Sequence, residues 1–263
     1  MVLTLIILRK CLMKRYYCLL KNFTNWWLYL AYKYGFSSQN PLVFKTRNGV
    51  LVEVPSRLLH TFKEIFMEEG YLAGLEKKPS PHPVILDIGA NAGYFSLFAV
   101  SKYDGASVFA YEPIPSNYKQ LLRNADLNGS RRISCFPLAV AGHCGEISLV
   151  FDNTDSFTTS ATVLSSNSGA NDSIRVECVD LKKIFDDNRI EKCDLLKLDC
   201  EGAEYDILYS CPEEYLKRID QIAMEVHRGE KENMNMDALA SFLSSRGFFT
   251  RRCGVGMLWA WRA

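Results

Sequence analysis

The sequence predicts an α/β protein with a mostly parallel sheet, and three observations carry that expectation. From Pro83 onward, short runs of β-branched and aromatic residues alternate with longer helix-compatible runs, the pattern of successive βαβ units. Hydrophobic side chains make up 48% of the 263 residues, enough to bury one sizeable core. The stretch VILDIGANAGYFSLFAV, Val84 to Val100, passes from strand formers through small residues into an apolar helical run, the form of a ligand-holding turn.

VILDIG is the first expected strand and GYFSLFAVSKY the helix after it. ASVFAYEP is a second strand and PSNYKQLLRNADLNG a second helix, with Ser116 or Asn117 near its cap and Gly129 beyond its end. RISCFPLAVAG forms a third strand. GEISLVFD and IRVECVDLKKIF add strands on either side of residues 153–173, a Ser/Thr/Asn-rich loop whose length marks a functional lid or disorder. CDLLKLDCEGAEYDILYS returns to strand and helix, IDQIAMEVH is another strand, and NMDALASFLSSRGF is a helix with a glycine stop. FFTRRCG and GMLWAWRA can pair as a closing hairpin.

The formal net charge of +1 is unevenly distributed. Glu53 is the first acid, and eight Lys and Arg precede it, so the remainder is mildly acidic and offers no large nucleic-acid footprint. The expected division is a basic, aromatic helical extension over residues 1–50 and a catalytic domain over 51–263. Charges interrupt every apolar run of the extension well short of the roughly 20 residues a membrane span needs. Arg9 and Lys10 follow the first apolar run instead of preceding it, unlike a secretory leader. Residues 1–34 fit two readings: an interfacial helix on an anionic membrane, with Trp26, Trp27 and Tyr29 at headgroup depth, or a helix packed on the domain. Nine cysteines, odd in number and without zinc spacing, suit a reducing compartment. The expected location is cytoplasmic, at the inner membrane surface under the first reading.

The turn itself has the spacing Gly89-Ala-Asn91-Ala-Gly93, in which Asn91 replaces a middle glycine and tolerates positive φ better than other side chains. Asp87, two residues earlier and aimed at the turn, would repel a pyrophosphate and welcome an amino group. Glu112 closes the second strand, where an acid can accept hydrogen bonds from both ribose hydroxyls. An amino group near one acid and a ribose near the other describe S-adenosylmethionine better than a nicotinamide dinucleotide. Tyr94, Pro113 and Ala139, which flank the turn and the next two strand ends, complete the expected cofactor-binding set.

LDIGANAGYFSLFA, FAYEPIPSNYKQLLRNADLN, DLLKLDCEGAEYDIL and IAMEVH resemble, in order and spacing, the FkbM-type methyltransferases of the class I S-adenosylmethionine-dependent superfamily. The resemblance covers about residues 60–230, with KLDCEGAE its most specific block, and leaves out the first 50 or so. It implies a Rossmann-like, doubly wound sheet of seven strands with one antiparallel strand near the edge, and O-methylation of sugar or natural-product hydroxyls. Cys200 stands where a β-branched residue is commoner, and Ile114 where a polar one is.

Methyl transfer from a sulfonium is an in-line displacement, so the protein must position the acceptor and handle its proton. Asp199 ends a strand, Glu201 and Glu204 follow in the turn and first helical turn, and Glu225 and His227 end the next strand. Asp199, Glu201 and His227 are the catalytic candidates, while Glu204 is expected to complement the helix N-terminus. Asp199, Glu225 and His227 could also hold a divalent metal, but nothing in the spacing demands one and none is assigned. Lys197 is expected to be a paired lysine with a buried stem. LDCEG lacks the Asn/Asp-Pro-Pro-aromatic element of base N-methyltransferases, so an alcohol on a small molecule, glycan or lipid-linked sugar is the expected acceptor. A nicotinamide-dependent sugar oxidoreductase would need a pyrophosphate-compatible turn and a Tyr-x-x-x-Lys pair at the active site. A non-catalytic membrane module would have no use for Asp87 and Glu112.

Overall fold

In the computed structural model, which describes residues 13–77, 80–129, 131–150, 162–163, 173–229, 231–253 and 256–263, the chain opens with a helix over 13–22 (α1). Helix α2 (Trp27–Lys33) and the antiparallel pair β1 (Leu42–Lys45) and β2 (Leu51–Val54) follow. A helical segment the alternation did not reveal comes next: α3 (Leu59–Lys63), a π-helical turn over Glu64–Glu68, and α4 (Gly70–Ala73). The alternating part begins with β3 (Val84–Ile88), α5 (Tyr94–Lys102), β4 (Ser107–Tyr111), α6 (Pro115–Asp126) and β5 (Ile133–Phe136). After β6 (Ala139–Val140), β7 (Gly145–Val150), β8 (Thr162–Val163) and β9 (Ser173–Val179) come α7 (Leu181–Asp187), β10 (Leu195–Leu198), α8 (Glu204–Ser210) and α9 (Glu213–Leu216). The last elements are β11 (Gln221–Glu225), α10 (Met236–Ser245), β12 (Phe249–Arg252) and β13 (Met257–Trp261).

Seven strands form the main sheet in the order β12-β13-β11-β10-β3-β4-β5. The five from β11 to β5 are parallel, and β13 runs antiparallel to both its neighbours, so the expected Rossmann-like sheet and closing hairpin are present. The third strand is shorter than expected. It stops at Phe136 because Pro137 has no N–H to continue the ladder, and Ala139–Val140 pairs with β9 instead. The two additional strands pair with each other, β7 against β9, in a separate four-stranded sheet of order β6-β9-β7-β8, but the second ends at Val179 and LKKIF, expected to continue it, opens α7 behind its Asp180 cap. Helix α6 has Pro115 at its first position, so Ser116 and Asn117 lie inside it and neither caps it. Apart from the two residues of β8, the expected lid over 153–173 lies almost wholly outside the described residues.

Each central strand presents alternate residues to two cores. Leu86, Ile88, Leu196, Leu198, Ile222 and Met224 face one that includes Ile184, Leu208 and Leu239 from α7, α8 and α10. Ile85, Leu195 and Ala223 face the other, with α5 and the N-terminal segment. Across that second face runs the row Ala223, Lys197, Asp87, Ala110, Cys135, each paired in register with the next. Alanines on both sides leave room for the Lys197 side chain, which is 3% exposed and lies 3.2 Å from an Asp87 carboxylate that is fully buried. That contact is ionic and poorly aimed for a hydrogen bond; Nζ donates instead to the Gly89 carbonyl at 2.6 Å and the Ile88 carbonyl at 3.3 Å.

The N-terminal segment shares this core. Phe23, Phe44, Phe62 and Phe66 are fully buried with ring centroids from 4.5 to 5.4 Å apart, and Phe98 of α5 packs on Phe66 at 5.3 Å. Strands β1 and β2 pair across residue 50. Tyr29 is buried and Trp26 is partly buried against the same cluster, while Trp27 is 53% exposed. No helix among the described residues is long and apolar enough to cross a membrane.

Replacing one member of a buried ion pair leaves the other charge uncompensated, whereas replacing both removes the problem. Lys197→Met should therefore cost about 3–5 kcal/mol in urea unfolding, and the double variant Lys197→Met with Asp87→Ala should cost less than the single one. Additive losses would show that the two charges stabilise the fold independently.

Candidate active site

The carboxyl ends of β3, β4, β10 and β11 open on one crevice of about 330 Å³, within the range of small-ligand sites. Strand order sets its layout. Glu225 and His227 come from the end of β11, Asp199 from β10, the glycine turn from β3 and Glu112 from β4. Three inter-strand steps separate the outer two, roughly 14 Å at ordinary strand spacing.

The turn is shaped by what it touches. Gly89 has φ of 73°, and a Cβ there would meet the Asp199 carbonyl at 1.9 Å, so only glycine lets β3 close on β10. Asn91 adopts φ of 50°, as its residue type allowed. Its N–H donates to Glu112 Oε2 at 2.8 Å, and the Ile114 N–H donates to Oε1 at 2.9 Å. Burial pushes the Glu112 carboxyl up to about 7, against the pull of those N–H groups and of Lys197. Beside Glu112 the wall is apolar, made by Tyr111, Ile114, Ala139 and Val140 with Ile147 and Leu149 of β7. Tyr111 stacks on Phe136 at 4.6 Å.

The other end is acidic. Glu64, Asp199, Glu201 and Glu225 line it with His60 and His227. Tyr71 Oη donates to Asp199 Oδ2 at 2.8 Å, and Lys197 lies 3.7 Å from the same oxygen. Burial raises the Glu201 carboxyl, with some relief from His227. Burial likewise raises Glu225, helped by the Asp199 charge. His227 Nδ1 contacts Glu204 Oε1 at 3.1 Å and its Nε2 faces Glu201 Oε2 at 3.4 Å. The Glu204 bond, joined by the charges of Glu204 and Glu201, outweighs burial and carries the imidazole up to about 9. Glu201 has φ of 51°, a left-handed conformation that costs a non-glycine residue of order 1 kcal/mol and tends to occur at working sites.

Gly89, Asn91, Tyr94, Glu112, Pro113, Ala139, Asp199, Glu201 and His227 all line the crevice. Asp87 and Gly93 do not. The expectation that Asp87 would meet an amino group is corrected: its carboxylate is fully buried, takes the Ser96 hydroxyl at 2.6 Å, and is paired with Lys197. Gly93 instead lets α5 approach α6, since a Cβ there would meet Leu121 Cδ1 at 2.5 Å. Glu204 behaves as a turn complement, accepting from the Cys200 and Gly202 N–H groups, and additionally orients His227. His60, Glu64 and Tyr71 escaped the sequence reading because they precede the alternating part. Tyr71 meets Asp199 across 128 positions, with no local pattern to mark the pair.

Comparison with known proteins bears directly on this crevice. The family model described as a methyltransferase FkbM domain matches residues 87–250, which runs from the buried acid of β3 to the first residues of β12. The chain belongs to the FkbM methyltransferase family. Methyltransferase sdnD of Sordaria araneosa is 30% identical over 215 residues, covering 71% of this chain and 80% of that protein. The 31-O-demethyl-FK506 methyltransferase FkbM of Streptomyces tacrolimicus is 28% identical over 192 residues, covering 63% of this chain and 73% of its own. The crystal structure of a methyltransferase FkbM from Methylobacillus flagellatus superposes with a TM-score of 0.49 at 15% identity, covering 78% of this chain and 54% of that one.

The position of Glu112 in this methyltransferase has a consequence for stability. A carboxyl held at about 7 in the folded state and near 4.5 when unfolded binds more protons in the native state between those values, so stability falls as pH rises through that window. The loss amounts to about 3 kcal/mol. Urea unfolding at about pH 5 and about pH 8 should show a larger drop for the wild type than for Glu112→Gln, by up to about 3 kcal/mol. Equal drops would mean that Glu112 ionises as it does in water.

Proposed function

We propose that the chain methylates a hydroxyl oxygen of a small-molecule acceptor, a sugar, glycan or natural product, with S-adenosylmethionine as donor. The observation that carries this reading is a single crevice with the buried, raised Glu112 at its apolar end and a group of acids at the other. When bound, the cofactor supplies an electrophilic methyl group on a sulfonium. The residues present fit it: the Glu112 carboxylate accepts from the Asn91 and Ile114 N–H groups and from the Asn117 side chain, and its two oxygens offer about four lone-pair sites, so one is left for a ribose hydroxyl. The apolar wall of Ile114, Val140, Ile147 and Leu149 suits a flat base, and the acids suit a cationic centre.

On the acceptor side, Asp199 is held by Tyr71 and faces Lys197, so it presents a fixed carboxylate toward the hydroxyl. Glu201, whose carboxyl burial raises, is the better proton acceptor, because a base works best when its pKa approaches the operating pH. His227 stands beside it, its Nε2 3.4 Å from Glu201 Oε2, so the two side chains flank the same acceptor position. The Streptomyces relative is named for a 31-O-demethyl substrate, which agrees with oxygen as the methyl acceptor.

Calorimetry should detect S-adenosylhomocysteine binding to the wild type, with Glu112→Ala weakening it by about 1.5–3 kcal/mol, the scale of lost charge-assisted hydrogen bonds. Isotope-labelled donor offered with hydroxylated glycans and natural products should then transfer label to oxygen. Tight dinucleotide binding with none of the methionine cofactors would refute the reading.

We further propose that the outer face of the N-terminal helices rests on an anionic membrane surface. Among the described residues six of nine exposed large hydrophobics, Met13, Tyr17, Leu20, Trp27, Tyr34 and Phe36, fall in this one segment. Met13, Tyr17 and Leu20 share one side of α1, and no acid occurs before Glu53. Each engaged basic residue contributes about 1 kcal/mol at such a surface. Phosphatidylserine vesicles should sediment the full chain at low salt and release it at high salt, and Tyr17→Ser with Trp27→Ser and Phe36→Ser should abolish sedimentation. A full chain that ignores the vesicles would assign the exposed face to another partner.

A further inference from the structure

We propose that Asp199, Glu225 and His227 form a divalent-cation site, one that takes Mn²⁺ or a similar oxygen-preferring ion and keeps positions open toward the acceptor. One donor atom from each residue lies within 4.8 Å of the other two. Ligands on an ion with bonds near 2.1 Å stand roughly 3–4 Å apart, so a small closure of the three side chains completes the site.

The set differs from an ordinary patch of surface acids in three respects. His227 is a nitrogen donor whose orientation is imposed from behind: fully buried Glu204, itself anchored by the Cys200 and Gly202 N–H groups, takes Nδ1 and turns Nε2 toward the crevice. A buried carboxylate behind a histidine is the support that metal-binding imidazoles use. Asp199 is likewise held from outside, with Tyr71 and Lys197 both engaged on Oδ2. Glu225, half-buried at the end of β11, receives no hydrogen bond from any described residue, although Asp199 and Glu201 stand near it. A cation supplies the partner this arrangement lacks. Two carboxylates and one imidazole match Mn²⁺ better than an all-oxygen or thiolate set would. Three protein ligands leave coordination positions for water and for an acceptor hydroxyl, whose proton an ion of this kind loosens.

The role in acceptor binding rests on the proposed O-methylation, but the binding of the ion does not, and the test separates the two. Full-length protein freed of metal with a chelator is titrated with Mn²⁺ alone, free ion being read by electron paramagnetic resonance, while homocysteine-cofactor binding is measured on a separate sample. The expected result is one ion per chain, with spin-echo modulation from a directly bound ¹⁴N. Asp199→Asn and Glu225→Gln should each weaken binding by about tenfold or more without altering the thermal transition. If either variant fails to fold, the nitrogen modulation in the wild type decides. Absence of binding, absence of the nitrogen signal, or binding untouched by both substitutions would overturn the site and leave the cofactor reading standing. Loss of cofactor binding with the ion site intact would do the reverse.

Discussion

The buried pair of Lys197 and Asp87 organises the catalytic end of this protein. The two residues face each other in register on adjacent parallel strands, fully desolvated, with alanines on either side. Such a pair contributes little net stability, but it tolerates few arrangements, because either charge alone would be severely penalised. Lys197 also donates to the Gly89 and Ile88 carbonyls, so the charge that neutralises Asp87 pins the mouth of the glycine turn. Burial alone would lower the lysine, yet Asp87 and Asp199 more than reverse this and keep it charged.

From that anchor the crevice is assembled outward. Gly89 presses against the Asp199 backbone, Asn91 in its left-handed conformation offers its N–H to Glu112, and Glu112 in turn accepts from the start of α6. On the far side, Lys197 and Tyr71 hold Asp199, and Trp259 Nε1 donates to the Tyr71 carbonyl at 2.9 Å, tying the antiparallel strand β13 into the acidic end. Elements distant in sequence thus converge on two carboxylates, Glu112 and Asp199, and burial raises the first. Charged groups set so closely in one crevice act on whatever charge develops there.

The N-terminal segment serves the fold on one side and faces solvent on the other. Its Phe23, Phe44, Phe62 and Phe66 fill the core over α5, and the hydrogen bonds of Asn22 to the Phe66 carbonyl and to Glu69 fix it to the turn that leads into α4. The aromatic residues left outside are arranged along a surface with basic neighbours and no acid of its own stretch.

Local pattern by itself determined the alternating strands and helices, the glycine turn, the placement of Asp199 and His227 at strand ends with Glu201 in the turn after the first, and the burial of the Lys197 stem, since each depends on short-range periodicity or on a motif of fixed spacing. Only the tertiary structure decided the fate of Asp87, because a strand residue two places before a turn can face either the ligand or the core, and its cross-strand partner selected the core. It also decided that Ala139 and Val140 leave the main sheet at Pro137, and that Phe23, Tyr29 and Phe44 pack inside while Tyr17, Trp27, Tyr34 and Phe36 stay out. Glu64 and His60 entered the crevice from a segment with no alternation to recognise, and Tyr71 of the same segment holds Asp199 across more than a hundred positions. Such long-range pairings are set by which faces the cores bury, and a single sequence records the burial pattern without recording which buried face meets which.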